Sequence, residues 1–122
     1  DVMRTGEALP EVGESATLRD AMLEMTKKGM GMTAVVDGGK RVIGIYTDGD
    51  LRRSLDRGCD IRTTPVADVM TRNPRTIAPN RLAAEAVQHM QDFKVYSLLV
   101  VDAQDRLAGA LSMHDLMRAG VV

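Results

Sequence analysis

Apolar residues recur at helical spacing at Leu18, Ala21, Met22 and Met25, and a matching stripe returns 65 positions later at Ala83, Ala86, Val87 and Met90. Each segment is therefore predicted to form a helix with one buried face. The pattern then changes. "MTAVVDGGKRVIGIYT" (32–47) and "YSLLVVDAQDRLAGALS" (96–112) each hold two β-rich runs around a polar turn, which reads as a pair of connected strands. Gly38-Gly39 is expected to supply the flexibility of the first turn. A last short helix is predicted to begin near Thr47 or Ser112, to carry Leu51 and Leu55, or Leu116, inward, and to end near Gly58 or Gly120.

The same shift of 65 superposes Val35-Val36-Asp37 on Val100-Val101-Asp102, Arg41 on Arg106, Gly44 on Gly109 and Asp50-Leu51 on Asp115-Leu116. "DVM" at 1–3 also recurs at 68–70, at an offset of 67. Two tandem copies, each β-α-β-β-α, account for this. The fold class is α+β, with the copies expected at 1–62 and 63–122. Each copy alone is near the size at which burial barely offsets chain entropy, so the two are expected to share a core as one cooperative unit.

Composition narrows the function. The 122 residues are 44% hydrophobic and 27% charged, as in a soluble globular chain. The net charge of −1 and scattered basic residues leave no footprint for duplex nucleic acid. No apolar run is long enough to span a bilayer and no signal core opens the chain, so a cytoplasmic location is expected, without membrane or nucleic-acid partners. The chain starts in mid-pattern at Asp1 without an initiator methionine, which reads as a piece of something longer. Cys59, the one cysteine, reads as a surface-loop thiol, and with His89 and His114 in different elements no metal site is expected. His89 reads as a surface or boundary residue.

The candidate chemistry lies in "TDGD" and "SMHD", where a hydroxyl precedes an aspartate by three residues: Thr47 with Asp50, and Ser112 with Asp115. This is the spacing of a capping box, which explains both without any ligand. A ligand site is the other reading. A helix start leaves N–H groups aimed outward that favour an anion, Gly49 lets a ligand approach the main chain, and Arg52 and Arg53 lie one helical step on. A carboxylate's two oxygens also match the vicinal O–H groups of a ribose, a charge-assisted pairing of about 1.5–3 kcal/mol. At His114 ligand contact and an exposed capping turn both fit.

"GIYTDGD" (44–50) and "GALSMHD" (109–115) both fit the pattern Gly, apolar, any, Thr or Ser, any, any, Asp, and the chain resembles a tandem pair of cystathionine-β-synthase (CBS) domains, a Bateman module, over essentially its whole length. That resemblance implies two copies packed sheet to sheet about a pseudo-two-fold axis, with two clefts for nucleotides. It implies ribose binding by Asp50 and Asp115 and phosphate or ribose contacts by Thr47 and Ser112. It also implies base contacts from the preceding strands, at Met32, Thr33 and Ala34 in one cleft and Tyr96, Ser97 and Leu98 in the other. "GMGMTAVVD", "YTDGDLRRSLDRG" and "MHDLMRAGVV" are further similar to the C-terminal portion of bacterial D-arabinose 5-phosphate isomerases, in which a sugar-isomerase (SIS) domain carries the catalysis. The implied role is regulatory and not catalytic. The regulatory ligand implied is CMP-Kdo, the activated end product of that pathway, or else an adenine nucleotide, with no covalent cofactor.

The first cleft, with Asp48, Gly49 and Arg52 where the second has Met113, His114 and Met117, is expected to be the more polar and roomier, and one cleft to bind far better. The implied partners are the parent SIS domain and a second copy, in a homodimer through the CBS pairs and a higher oligomer of the full enzyme. A rival reading is a ligand-free dimerisation module, for which nine methionines would leave a plastic apolar surface. An independent enzyme is disfavoured. Asp48 and Asp50 could be drawn as an acid/base pair, but no partner base or nucleophile is placed beside them.

Overall fold

The computed structural model describes residues 2–81 and 83–120. A short strand, β1 (Glu11–Gly13), leads into α1 (Leu18–Lys28), whose start is fixed by a reciprocal capping box between Thr17 and Asp20 and whose end is a left-handed Gly29 (φ 63°). Leu18, Ala21 and Met25 are buried on its inner face, as the spacing predicts. Strands β2 (Met32–Val36) and β3 (Val42–Thr47) form the expected antiparallel pair, followed by α2 (Asp48–Asp56). After β4 (Thr71–Arg72) the order repeats as β5 (Thr76–Ile77), α3 (Ala83–Phe93), β6 (Ser97–Val101), β7 (Leu107–Ser112) and α4 (Met113–Arg118).

Two sheets result, ordered β1-β2-β3-β4 and β5-β6-β7. The first takes its edge from the start of the second repeat: β4 pairs antiparallel with β3, Gly44 opposite Arg72 and Ile45 opposite Thr71. The reciprocal arrangement brings the N-terminal segment to the second sheet. There Arg4 and Ala110 exchange N–H···O bonds of 2.8 and 3.1 Å. The segments Met3–Arg4 and Met70–Thr71 are thus exchanged between the copies. Each lays a methionine over the glycine of the opposite copy's motif: a Cβ on Gly44 would lie 2.5 Å from Met70 Sδ and 3.0 Å from the Thr71 carbonyl, and one on Gly109 would lie 2.5 Å from Met3 Sδ and 3.0 Å from the Arg4 carbonyl. Glycine stands at these positions because another chain segment occupies the space of a side chain.

Alternation along β2 sends its side chains into two cores. Val35 packs with α1, Tyr46, Val66 and Met70, whereas Met32, Ala34 and Val36 join Leu9, Met30 and Ile45 with Leu99 and Ala110 of the second copy. That shared layer ties the halves together, and the hairpin turns meet as well, through Val42 N–H to Asp105 O (3.0 Å) and Leu107 N–H to Lys40 O (2.9 Å).

Three local expectations need correction. The left-handed turn residues are Lys40 (φ 69°) and Asp105 (φ 62°) and not Gly38-Gly39. Asp37 organises the turn by accepting from the N–H groups of Gly39 and Arg41, and Asp102 does the same for Gln104 and Arg106. Leu55 is 55% exposed; the inner face of α2 instead carries Ser54, which donates to the Asp50 carbonyl and hydrogen-bonds the Tyr46 hydroxyl. Met25, Met30, Met32, Met70 and Met90 are core residues and Met117 is well exposed, so no methionine-rich surface forms.

Replacing Gly44 by alanine is expected to destabilise the fold by about 1–3 kcal/mol, because Met70 can shift but the Thr71 carbonyl is main chain. Gly38→Ala, where a Cβ meets nothing within 4 Å, should be near neutral in the same urea titration. Equal stability of the two variants would refute the close-approach account.

Candidate functional site

Both motif helices begin at the end of a hairpin strand, and their N-caps are extended residues that turn the chain into the helix. At the first, Thr47 Oγ1 accepts from Asp50 N–H (3.2 Å) and the Asp50 carboxylate accepts from Thr47 N–H (3.0 Å), a complete capping box. Asp50 is 6% exposed and its oxygens also accept from Thr47 Oγ1 (3.1 Å), Arg53 Nη2 (2.6 Å) and Thr71 Oγ1 (3.2 and 3.3 Å). Thr71 lies in the exchanged strand β4, so the second copy helps to hold the first copy's carboxylate.

The second motif is built differently. Ser112 Oγ accepts from Asp115 N–H (3.0 Å), but the Asp115 carboxylate turns to Arg4, which grips it with Nε (2.7 Å) and Nη2 (3.1 Å). The Arg4 Nη1 group donates to the Lys28 carbonyl at the end of α1. Counted from "DVM", Arg4 and Thr71 are the same position, the residue after the methionine. Each therefore reaches the other copy's motif aspartate. The side chains of Arg4 and Asp115 are 17% and 13% exposed, and the bidentate hydrogen bond from Arg4 holds the Asp115 carboxyl below the usual carboxylate range. The guanidinium is raised in turn.

A cavity of about 980 Å³ opens between the two helix starts. Its wall includes Thr47, Asp48, Gly49 and Arg52 from the first motif and Ser112, Met113, His114 and Met117 from the second. The two separate clefts of the sequence reading are one continuous space here. Met32, Tyr96 and Ser97 line it, and Tyr96 is 80% exposed. Thr33, Ala34 and Leu98 do not. They are fully buried, because β2 and β6 are covered on both faces, and Thr33 Oγ1 bonds the Ala34 carbonyl. Asp50 and Asp115 are also outside the lining, behind Arg53 and Arg4, which are in it.

Charge is the feature that residue spacing did not foretell. Arg4, Arg52, Arg53, Arg75 and Lys94 line the cavity against one carboxylate, Asp48, in a chain whose net charge is −1. Arg4, Arg75 and Lys94 lie outside both motifs, and only the topology brings them here. No helix among the described residues is long and apolar enough to cross a membrane.

Comparison with known proteins gives a consistent picture. The family model "CBS domain" matches residues 1–57 and 66–122. The arabinose 5-phosphate isomerase KdsD of Pseudomonas aeruginosa is 53% identical over all 122 residues, which span 37% of its length. Among solved structures, a CBS domain protein of Pyrobaculum aerophilum complexed with AMP matches with a TM-score of 0.81 and 24% identity, over 93% of this chain and 89% of that one. The CBS domain pair of protein MJ0100, in complex with 5-methylthioadenosine and S-adenosyl-L-methionine, gives 0.84 and 19%, over 98% and 96%. At these identities the two structures establish the fold.

Asp115→Ala removes Arg4's bidentate partner and is expected to cost about 1–3 kcal/mol. Because the folded carboxyl titrates below its unfolded value, the contribution is complete above about pH 4 and disappears as pH falls through the lower folded value. Urea titrations over a pH series should show the wild type's lead over the variant narrowing on acidification. A lead that is flat with pH would exclude the ion pair as its source.

Proposed function

This chain belongs to the CBS-domain family, as two copies in tandem, and we propose that it is the nucleotide-sensing regulatory module of a D-arabinose 5-phosphate isomerase. The cavity takes a nucleotide or nucleotide-sugar, CMP-Kdo or an adenine nucleotide, and the occupied state acts on a sugar-isomerase domain of the same polypeptide. The observation that carries the reading is the cavity between two helix starts, lined by five cations of which Arg4 and Arg53 are paired with Asp115 and Asp50, with an exposed aromatic ring on its wall. A phosphate ester suits the cations and the positive ends of the two helices, whose first and third N–H groups are already bonded within the protein, and a base has a stacking surface in Tyr96. The identity with the P. aeruginosa isomerase over the whole chain supports the choice of parent, and the AMP held by a protein of the same fold supports the ligand class.

The two motif aspartates are unequal as ribose acceptors. Asp50 already receives bonds from Thr47, Arg53 and Thr71, whereas Asp115 is held chiefly by the two bonds from Arg4, with Ser112 as a lesser contact. A ribose diol at Asp115 exchanges with or shares those bonds, and one at Asp50 competes with Arg53 and Thr71 at Oδ1 and with the capping box at Oδ2. Ribose recognition is therefore assigned first to Asp115. The catalytic step belongs to the parent's other domain, and this segment is read as having no isomerase activity of its own.

A second reading, a homodimerisation surface, draws on Leu55 and Met117, which are 55% and 60% exposed on α2 and α4. Sedimentation with and without nucleotide separates it from sensing, and both roles are compatible.

Calorimetry against CMP-Kdo, CMP, AMP and ATP should show heat for at least one. Tyr96→Ala is expected to weaken that binding about fivefold or more through lost stacking, with the thermal midpoint unchanged because the side chain is exposed. Heat from none of the four ligands would end the sensor reading.

A further inference from the structure

Arg4 and Arg53 are partnered by Asp115 and Asp50, and Arg52 has Asp48 at the i−4 position on α2. Arg75 and Lys94 are left. Among the described residues neither side chain makes a hydrogen bond or ion pair, and both line the cavity from the second copy's side. They belong together in space. The Arg75 guanidinium lies over the Phe93 ring, 3.8 Å from its centroid, and Phe93 immediately precedes Lys94. The ring contact satisfies the cation through its π face and leaves the guanidinium N–H groups for an anion.

The backbone at Lys94 strengthens the case. It is left-handed (φ 55°), with Val95 N–H bonded to the Met90 carbonyl (3.0 Å), and the first copy fills the equivalent position with Gly29 (φ 63°). Glycine adopts this conformation without steric cost and lysine does not. The second copy thus carries an ammonium where the fold alone prefers no side chain.

We infer that Arg75 and Lys94 form a second anion subsite of the cavity, one that selects nucleotides bearing an acidic group beyond the first phosphate. That group is either a further phosphate or the carboxylate of a nucleotide-linked acidic sugar. The inference rests on the nucleotide reading of the cavity and specifies its ligand class. The first phosphate goes to the motif helix starts, and the pair reads what is attached beyond it.

Titration calorimetry of the wild type and of the Arg75→Gln/Lys94→Gln variant tests this, with CMP and AMP as one-anion ligands and CDP, ADP and CMP-Kdo as two-anion ligands. The wild type is expected to bind at least one two-anion ligand about tenfold or more tightly than its monophosphate, the scale of one charge-assisted hydrogen bond. The variant should abolish that preference, leave the monophosphate affinity in place and retain the wild-type melting temperature. A preference limited to CDP and ADP identifies a phosphate subsite, and one limited to CMP-Kdo a carboxylate subsite. Equal loss for mono- and two-anion ligands, or loss for neither, overturns the subsite while the nucleotide reading stands. Absence of binding by all five ligands to the wild type overturns the nucleotide reading and the subsite with it.

Discussion

Each motif carboxylate in this molecule is held by a side chain from the opposite copy. Thr71 reaches Asp50 and Arg4 reaches Asp115, from the same position after "DVM". The geometry of the cavity depends on this crossing. Were each leading segment to fold back on its own repeat, neither Met70 over Gly44 nor Met3 over Gly109 would exist, and the two helix starts would lack their common wall. Exchange also explains why a chain of this size forms one unit: the sheet edges and the buried layer of Leu99 and Ala110 against Met32, Ala34 and Ile45 require both copies at once.

Within that frame the carboxylates have structural work before they have any ligand. Asp50 caps its own helix, receives a guanidinium from Arg53 and receives a hydroxyl from β4, and such a satisfied buried acid costs far less than a bare one. Asp115 has given up half of the capping box in order to pair with Arg4. The capping and ligand readings of the motif are therefore not exclusive. Capping is realised fully at Thr47 and partly at Ser112, and any ligand enters by rearranging contacts that already stabilise the fold.

The repeated elements were legible because their signals are local. Helical stripes at Leu18–Met25 and Ala83–Met90, the strand pairs and the end signals at Gly58 and Gly120 all depend on residues close in sequence. Reading failed where a partner lay far away. Nothing near Arg4 announces a bond to Asp115, 111 residues on, and the repeat of "DVM" was visible without revealing that its segments cross. The burial of Thr33, Ala34 and Leu98 was hidden for a related reason: a strand's alternation says which residues share a face, but not that both faces are covered. The turn aspartates Asp37 and Asp102 did carry a signal, since they superpose in the repeat, and the adjacent glycines drew attention from them.

What the copies share and where they differ divide the chemistry between frame and ligand. Gly44 and Gly109, Asp50 and Asp115, and Asp37 and Asp102 are common to both, and each secures a close approach, a helix start or a turn. The cavity's cations mostly stand where the copies diverge: Lys94 against Gly29, Arg52 against Met117, and Arg4 against Thr71. Identical halves about a two-fold axis would present the same chemistry twice. Divergence at these positions turns a near-symmetric frame into one asymmetric cationic cavity, and such asymmetry is what a ligand with unlike ends requires.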